Sequence, residues 1–257
     1  LILDYLKKSK VPVNINKNFN FMISSAPARM DTKKDILKYF KTSNLFELYG
    51  SSESGWVTML HPQDQFKHIG TVGKECVGSK SIKILDKNLK EVTDGKIGEL
   101  YAYTPYNFLY YWNNESKTKE AFLDGYVSVG DLALRDKDGF IRLVDRKNNM
   151  IISGGENIYP SEIENIIGEH KYVKDIAVIG MPHIKWGEIV CAFVVVHENK
   201  SLNEKELTSW TKKKIASFKT PKKFIFIKNN EMPRNSTGKI LHKDLRKMIN
   251  MINNKND

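Results

Sequence analysis

A lysine directly after a glycine on a Ser/Thr-rich turn, in "PRNSTGK" at residues 233–239, offers a cation to a phosphate or a carboxylate. The phosphate-cradling loop of nucleotide hydrolases needs a glycine five residues before the Gly-Lys pair's own glycine and a Ser or Thr after the lysine. Pro233 stands at the first place and Ile240 at the second, so that pattern fails at both ends. The plain alternative is a solvated Lys239 on a turn. Upstream, "YGSSESG" at 49–55 places Glu53 in a loop of small residues. It is one glycine short of the Gly-x-Ser-x-Gly elbow that exposes a hydrolase nucleophile, because Ser54 holds the last glycine's place. In "GYVSVGD" Asp131 follows Gly130 at a strand end, where a carboxylate can accept two hydrogen bonds from a ribose diol. A solvent-facing turn Asp is the competing reading. Finally "DRKNNMIISGGENIYPSEIE" gathers Arg146, Gly154, Gly155 and an acidic helix start within a short span.

Positioning such groups falls to elements that can be read from the periodicity. "DTKKDILKYFKT" (31–42) carries Asp31 at an expected N-cap and Ile36, Leu37, Tyr39 and Phe40 on one face, which predicts a helix. The apolar "LFELY" then predicts a strand running into Gly50, so residues 1–67 suit the end of an α/β layer. From 68 to 147 short strands alternate with turns ("SIKIL", "IGELYAY", "GYVSVGDLAL", "GFIRLV", with "DKDG" as a hairpin turn), predicting a β-rich, barrel-like subdomain. Residues 148–257 predict a small α+β domain. Its elements are "MIIS", a helix opened by Pro160, "IAVIGM", "IVCAFVVV", a helix near 203–216, "KKFIFI" and a closing helix from about 239. The boundary is expected in the polar stretch Arg146–Asn149, and 1–147 then forms part of one large domain.

The 257 residues, 40% of them hydrophobic, suffice for one large or two ordinary cores. A formal charge of +11 is spread along the chain. The lysines at 212–214 and at 219, 222 and 223 lack interleaved aromatics and any helix-turn-helix or finger pattern, so nucleic acid is not an expected partner. Cys76 and Cys191 are far apart without C-x-x-C spacing, which excludes a disulfide framework and a structural zinc site and fits a reducing cytoplasm. No apolar run approaches a membrane span, and "LILDYLKKSK" has its charges after its apolar stretch, the reverse of a signal peptide. That opening reads as the middle of an amphipathic helix, so the chain is expected to begin partway through a larger protein.

Taken in order, "SSAPA" (24–28), "YGSSES", "GYVSVGD", "DRKNNMIISGGENIYPSEIE" and "PRNSTGK" resemble five successive motifs of the adenylate-forming superfamily of acyl- and aryl-CoA synthetases, luciferases and peptide-synthetase adenylation domains. The resemblance covers essentially the whole chain, and "ISGGENIYPSEIE" is most similar to stand-alone acid:CoA ligases. It implies a mixed α/β and α+β fold with a mobile C-terminal domain. It also implies joining of a small carboxylic acid to ATP with magnesium, then transfer of the acyl group to coenzyme A. By motif position, Lys239 reaches the α-phosphate and the acyl carboxylate, and Glu53 helps hold magnesium. The segment Ser24–Ala28, with Ser25, Ala26 and Pro27 at its centre, joins Tyr49, Gly50, Ser51 and Ser52 around the adenine. Asp131 grips the ribose hydroxyls, Arg146 contacts ribose or phosphate, Asn148 is the hinge, and Gly154 and Gly155 admit the pantetheine arm. Val129 stands where the family commonly has Thr, and Ser52 and Asn148 are further departures. The Gly/Ser/Thr-rich loop that holds pyrophosphate occurs nowhere in the chain, so these residues alone are expected to be inactive. Delivery to a carrier protein and a non-catalytic remnant are the alternatives; the acid and the oligomeric state are not legible.

Overall fold

The computed structural model describes residues 2–9, 19–25, 30–41, 43–236 and 238–253. Two compact units divide the chain, Leu1–Leu143 and Val144–Asp257. In the first, α1 (Ile2–Lys8) precedes a strand-helix-strand run of β1 (Asn20–Ile23), α2 (Met30–Tyr39) and β2 (Asn44–Ser51). The helical connection lets β1 and β2 pair in parallel. β3 (Gly55–Leu60) folds back antiparallel to β2 and is bordered by the short β4 (Lys74–Glu75), giving a sheet ordered β1-β2-β3-β4. α2 is fastened to this sheet by the buried ion pair of Lys33 with Glu47.

Asp31 lies inside the first turn of α2, where its Oδ1 accepts the Thr32 N–H at 2.8 Å, and is not the N-cap. The helix ends at Tyr39 rather than 42.

The β-rich region holds β5 (Lys83–Leu85), β6 (Gly98–Tyr101), α3 (Glu115–Ala121), the hairpin β7 (Phe122–Leu123) and β8 (Tyr126–Val127), β9 (Asp131–Arg135) and β10 (Ile141–Arg146). "DKDG" turns β9 into β10, with the Asp136 N–H reaching the Phe140 carbonyl at 2.9 Å. The sheet is ordered β10-β9-β6-β5 and no pairing joins β5 to β10, so the barrel-like arrangement does not close among the described residues. Ile82, Ile84, Leu100, Ala102, Ala133 and Ile141 pack its core with Val57 and Val72.

In the second unit β11 (Ile151–Ser153) and β12 (Glu156–Ile158) form a tight hairpin before α4 (Pro160–Gly168). The long β13 (Val173–His183) and β14 (Gly187–Val196) follow, then α5 (Glu204–Lys212), β15 (Lys223–Phe226) parallel to β14, and α6 (His242–Asn253). β13 and β14 read as almost unbroken apolar runs because both faces of their sheet are covered. One set of side chains, Val178, Val190, Ala192 and Val194, meets Ile163, Ile167 and Leu207 of α4 and α5. The alternate set, Ala177, Ile179, Cys191 and Phe193, meets Leu245 and Ile249 of α6. α6 starts at His242 rather than near 239, because the residues just before it fold back on one another: Arg234 bridges Ile240, and the Leu241 N–H bonds the Pro233 carbonyl at 2.9 Å.

Candidate active site

In the first unit the site grows from the end of β2. Its pairing with β3 shifts register between Tyr49 and Gly50, and the next residues turn sharply through Ser51–Ser54. A Cβ on Gly50 would lie 2.1 Å from the Gly55 carbonyl oxygen, so only glycine permits this close crossing of backbones. The Ser54 N–H donates to Ser51 Oγ at 3.0 Å and closes the turn that presents Glu53; Ser52 is exposed on it.

Tyr49 projects toward β9, and its hydroxyl donates to Asp131 Oδ2 at 2.7 Å across 82 residues of sequence. Asp131 is only 9% exposed, and its approach is set by Gly130, whose N–H donates to Ser128 Oγ at 3.1 Å. Ser128 in turn donates to Glu99 Oε1 at 2.7 Å, so β6 fixes the turn that delivers Asp131. Ser25 follows β1 with a left-handed φ of 73°, while Ala26 and Pro27 lie outside the described residues.

A loop to which the sequence assigned no role lies over the Glu53 turn. Thr104 Oγ1 donates to the Ser54 carbonyl at 2.5 Å, the Phe108 N–H to the Glu53 carbonyl at 2.7 Å, and the Tyr111 hydroxyl to Glu53 Oε1 at 2.8 Å. No local spacing signals these contacts; the sequence marks the segment only by its density of aromatics. Among the described residues no group of three or more His, Cys, Asp or Glu could hold a metal ion. A single half-buried carboxylate nevertheless fits magnesium, which keeps most of its waters and is commonly held by one or two carboxylates together with substrate phosphates.

The second unit carries the remaining candidates. Arg146 and Asn148 are exposed, and the Asn148 carbonyl accepts Arg246 Nη2 at 3.1 Å from α6. Asp145 pins their segment: its Oδ2 accepts the Ser161 N–H at 2.9 Å and its Oδ1 accepts Asn149 Nδ2 at 3.4 Å. Burial, with the Asp145 charge adding to it, pushes the neighbouring Tyr159 phenol up from its ordinary value. Gly154 and Gly155 turn β11 into β12 with φ of 60° and 88°, conformations that suit glycine, and leave the backbone exposed. Lys239 lies in the folded-back segment before α6, exposed, with its N–H on Asn235 Oδ1 at 2.9 Å and its carbonyl accepting the Asn235 N–H at 3.0 Å. Arg234 braces the same segment, donating to the Gly238 carbonyl at 2.5 Å while ion-paired with Asp175. Thr237 lies outside the described residues. Neither cysteine is an activated nucleophile: burial pushes the Cys191 thiol up to about 12 and raises that of Cys76 as well.

The model of the AMP-binding enzyme family matches residues 7–112, and that of the AMP-binding enzyme C-terminal domain matches 162–239, ending on Lys239. The chain belongs to the AMP-binding, adenylate-forming enzymes. Asp131, Arg146, Asn148, Gly154 and Gly155 fall between the two matched stretches. Among relatives, the long-chain-fatty-acid–CoA ligase of Salmonella typhimurium is 37% identical over 202 residues, which is 79% of this chain and 35% of that protein. The fatty acid–[acyl-carrier-protein] ligase ScoC of Streptomyces coeruleorubidus is 35% identical over 204 residues, 78% of this chain and 39% of that protein. The fold is that of o-succinylbenzoate coenzyme A synthetase from Bacillus subtilis in complex with ATP and magnesium. The TM-score is 0.83 at 28% identity, covering 95% of this chain and 49% of that one. The chain thus spans less than half the length of each of these family members. Among the described residues no helix is long and apolar enough to cross a membrane.

Proposed function

We propose that the chain supplies the ribose-binding, metal-binding and lysine-bearing part of an AMP-forming acid:CoA ligase. The observation that carries this reading is the Tyr49–Asp131 hydrogen bond, which brings together two motifs 82 residues apart. In the first half-reaction a carboxylate oxygen of the acid attacks the α-phosphorus of ATP, and the bond from that phosphorus to pyrophosphate breaks. In the second, the thiol of coenzyme A loses its proton to solvent and attacks the acyl carbon, and AMP departs.

Neither step needs a strong general base, because the acid is already ionised and the thiol requires little activation. The demand on the protein is alignment and neutralisation of growing charge. Asp131 accepts the ribose hydroxyls, and Tyr49 lays its ring against the adenine while its hydroxyl holds Asp131. Glu53 offers one carboxylate to magnesium, which when bound neutralises phosphate oxygens. Lys239 brings a cation to the α-phosphoryl and acyl oxygens in the first step. Turning about Asn148 then presents the thin, exposed Gly154–Gly155 backbone to the pantetheine arm. Arg146 meets ribose or phosphate, and Ser25, Ala26, Pro27, Gly50, Ser51 and Ser52 complete the adenine slot. The two free thiols, Cys76 and Cys191, suit a reducing cytoplasm.

A second reading, transfer of the acyl group to a carrier protein, is favoured by the similarity to the acyl-carrier-protein ligase alone. AMP release from the intact protein, assayed over a panel of carboxylic acids with coenzyme A, with a phosphopantetheinylated acyl carrier protein in its place, and with neither, separates the two. Release that requires coenzyme A supports the ligase reading, and release that requires the carrier protein supports the carrier-protein reading. No acid-dependent release with either acceptor refutes both.

A further inference from the structure

Glu53 is the one carboxylate on the Ser51–Ser54 turn, and beyond the turn's own Ser54–Ser51 bond it is held by the loop and helix that follow β6. The Phe108 N–H fixes its backbone carbonyl at 2.7 Å, and the Tyr111 hydroxyl fixes Oε1 at 2.8 Å. Tyr111 is itself held. Its N–H donates to Thr118 Oγ1 of α3 at 2.9 Å, and its ring lies 4.7 Å from that of Phe108. Thr118 Oγ1 donates onward to the Asn114 carbonyl at 2.8 Å, and Asn114 caps α3. A chain of contacts therefore runs from the start of α3 through Tyr111 to one oxygen of Glu53, while Oε2 has no hydrogen-bond partner among the described residues.

We propose that Tyr111 is a positioning residue that makes Glu53 a one-oxygen ligand, occupying Oε1 so that Oε2 alone meets the magnesium carried by the nucleotide. A phenol suits this task better than a lysine or arginine. It donates a single hydrogen bond and fixes the rotamer, yet leaves the full negative charge of the carboxylate for the metal. One fixed oxygen also matches the demand of magnesium for near-ideal octahedral geometry, which a bidentate carboxylate with its narrow bite would distort. Hydrogen-bond partners of a ligating carboxylate commonly govern affinity for the metal by 10- to 100-fold, roughly the range expected here.

The inference rests on the ligase reading, in which Glu53 meets the metal. Its test is Mn2+ titration followed by electron paramagnetic resonance, with ATP present, on the intact protein as wild type, Tyr111→Phe, Glu53→Gln and the double variant. Tyr111→Phe should weaken Mn2+ binding about tenfold or more while leaving metal-free AMP binding unchanged. In the Glu53→Gln background it should have no further effect, because the hydroxyl acts only through that carboxylate. A merely structural tyrosine would instead disturb AMP binding as well, or add its loss to that of Glu53→Gln, and either result overturns the proposal. If Glu53→Gln weakens Mn2+ binding and Tyr111→Phe does not, the proposal fails while the ligase reading stands. If Glu53→Gln itself has no effect, the metal role of Glu53 fails and the proposal falls with it.

Discussion

Asp131 is nearly buried at the mouth of β9, with Tyr49 on one oxygen and the Ser128–Gly130 turn behind it. In the proposed ribose site, a carboxylate so fixed would contribute binding that is the same in the ground state and the transition state. Asp131→Ala should therefore raise the ATP concentration needed for half-maximal rate and leave the maximal rate nearly unchanged. Steady-state kinetics over a range of ATP checks this, and an unchanged ATP requirement removes Asp131 from the ribose site. Asp131, Glu53 and Lys239 each sit in a short contiguous motif, which is why the sequence alone singles them out as candidates. Tyr111 is not singled out, since its link to Glu53 spans 58 residues and depends on how a loop folds back over a turn. Ser128 and Asp145 were missed for the same reason: their partners Glu99 and Ser161 are set by strand and helix packing.

At the level of elements, periodicity marked most of the strands and helices but not β1, β3 or α3, and tertiary bonds decided their ends. The pattern of α6 could begin at 239, but the Arg234–Ile240 bridge keeps Lys239 in the folded-back segment and delays the helix to His242. The β2–β3 crossing was likewise hidden, because a bulge has no pattern of its own. Gly50→Ala should force the strands apart at the 2.1 Å approach to the Gly55 carbonyl, costing about 1–3 kcal/mol in urea unfolding and weakening nucleotide binding. A variant as stable as the wild type would show that the crossing can relax. The neighbouring β4 offers a pH test. Burial alone would raise the Glu75 carboxyl, but the Ile82 N–H and the Arg135 guanidinium outweigh it and hold it below its ordinary value of 4.5. A carboxylate depressed in the fold stabilises above its ordinary value and loses that contribution as pH falls through the folded one. Glu75→Gln should accordingly flatten the fall of Tm below about pH 4.5, and an unaltered acid slope would exclude the pair as a contributor.

For the molecule as a whole, the residues proposed for the chemistry lie in two compact units, with Glu53, Tyr49 and Asp131 in the first and Lys239 and the glycine pair in the second. On the proposed reading, the exposed Lys239 in its braced segment serves adenylation and not thioester formation. A cation aimed at developing charge is worth on the order of 3 kcal/mol, or about a hundredfold in rate. The direct measurement is acid-dependent exchange of labelled pyrophosphate into ATP, set beside thioester formation from supplied acyl-adenylate, in the intact protein and its Lys239→Ala variant. Exchange seen in the wild type should fall about a hundredfold in the variant, with the thioester step nearly unaffected. Equal loss in both half-reactions, or exchange undiminished without Lys239, would contradict that reading.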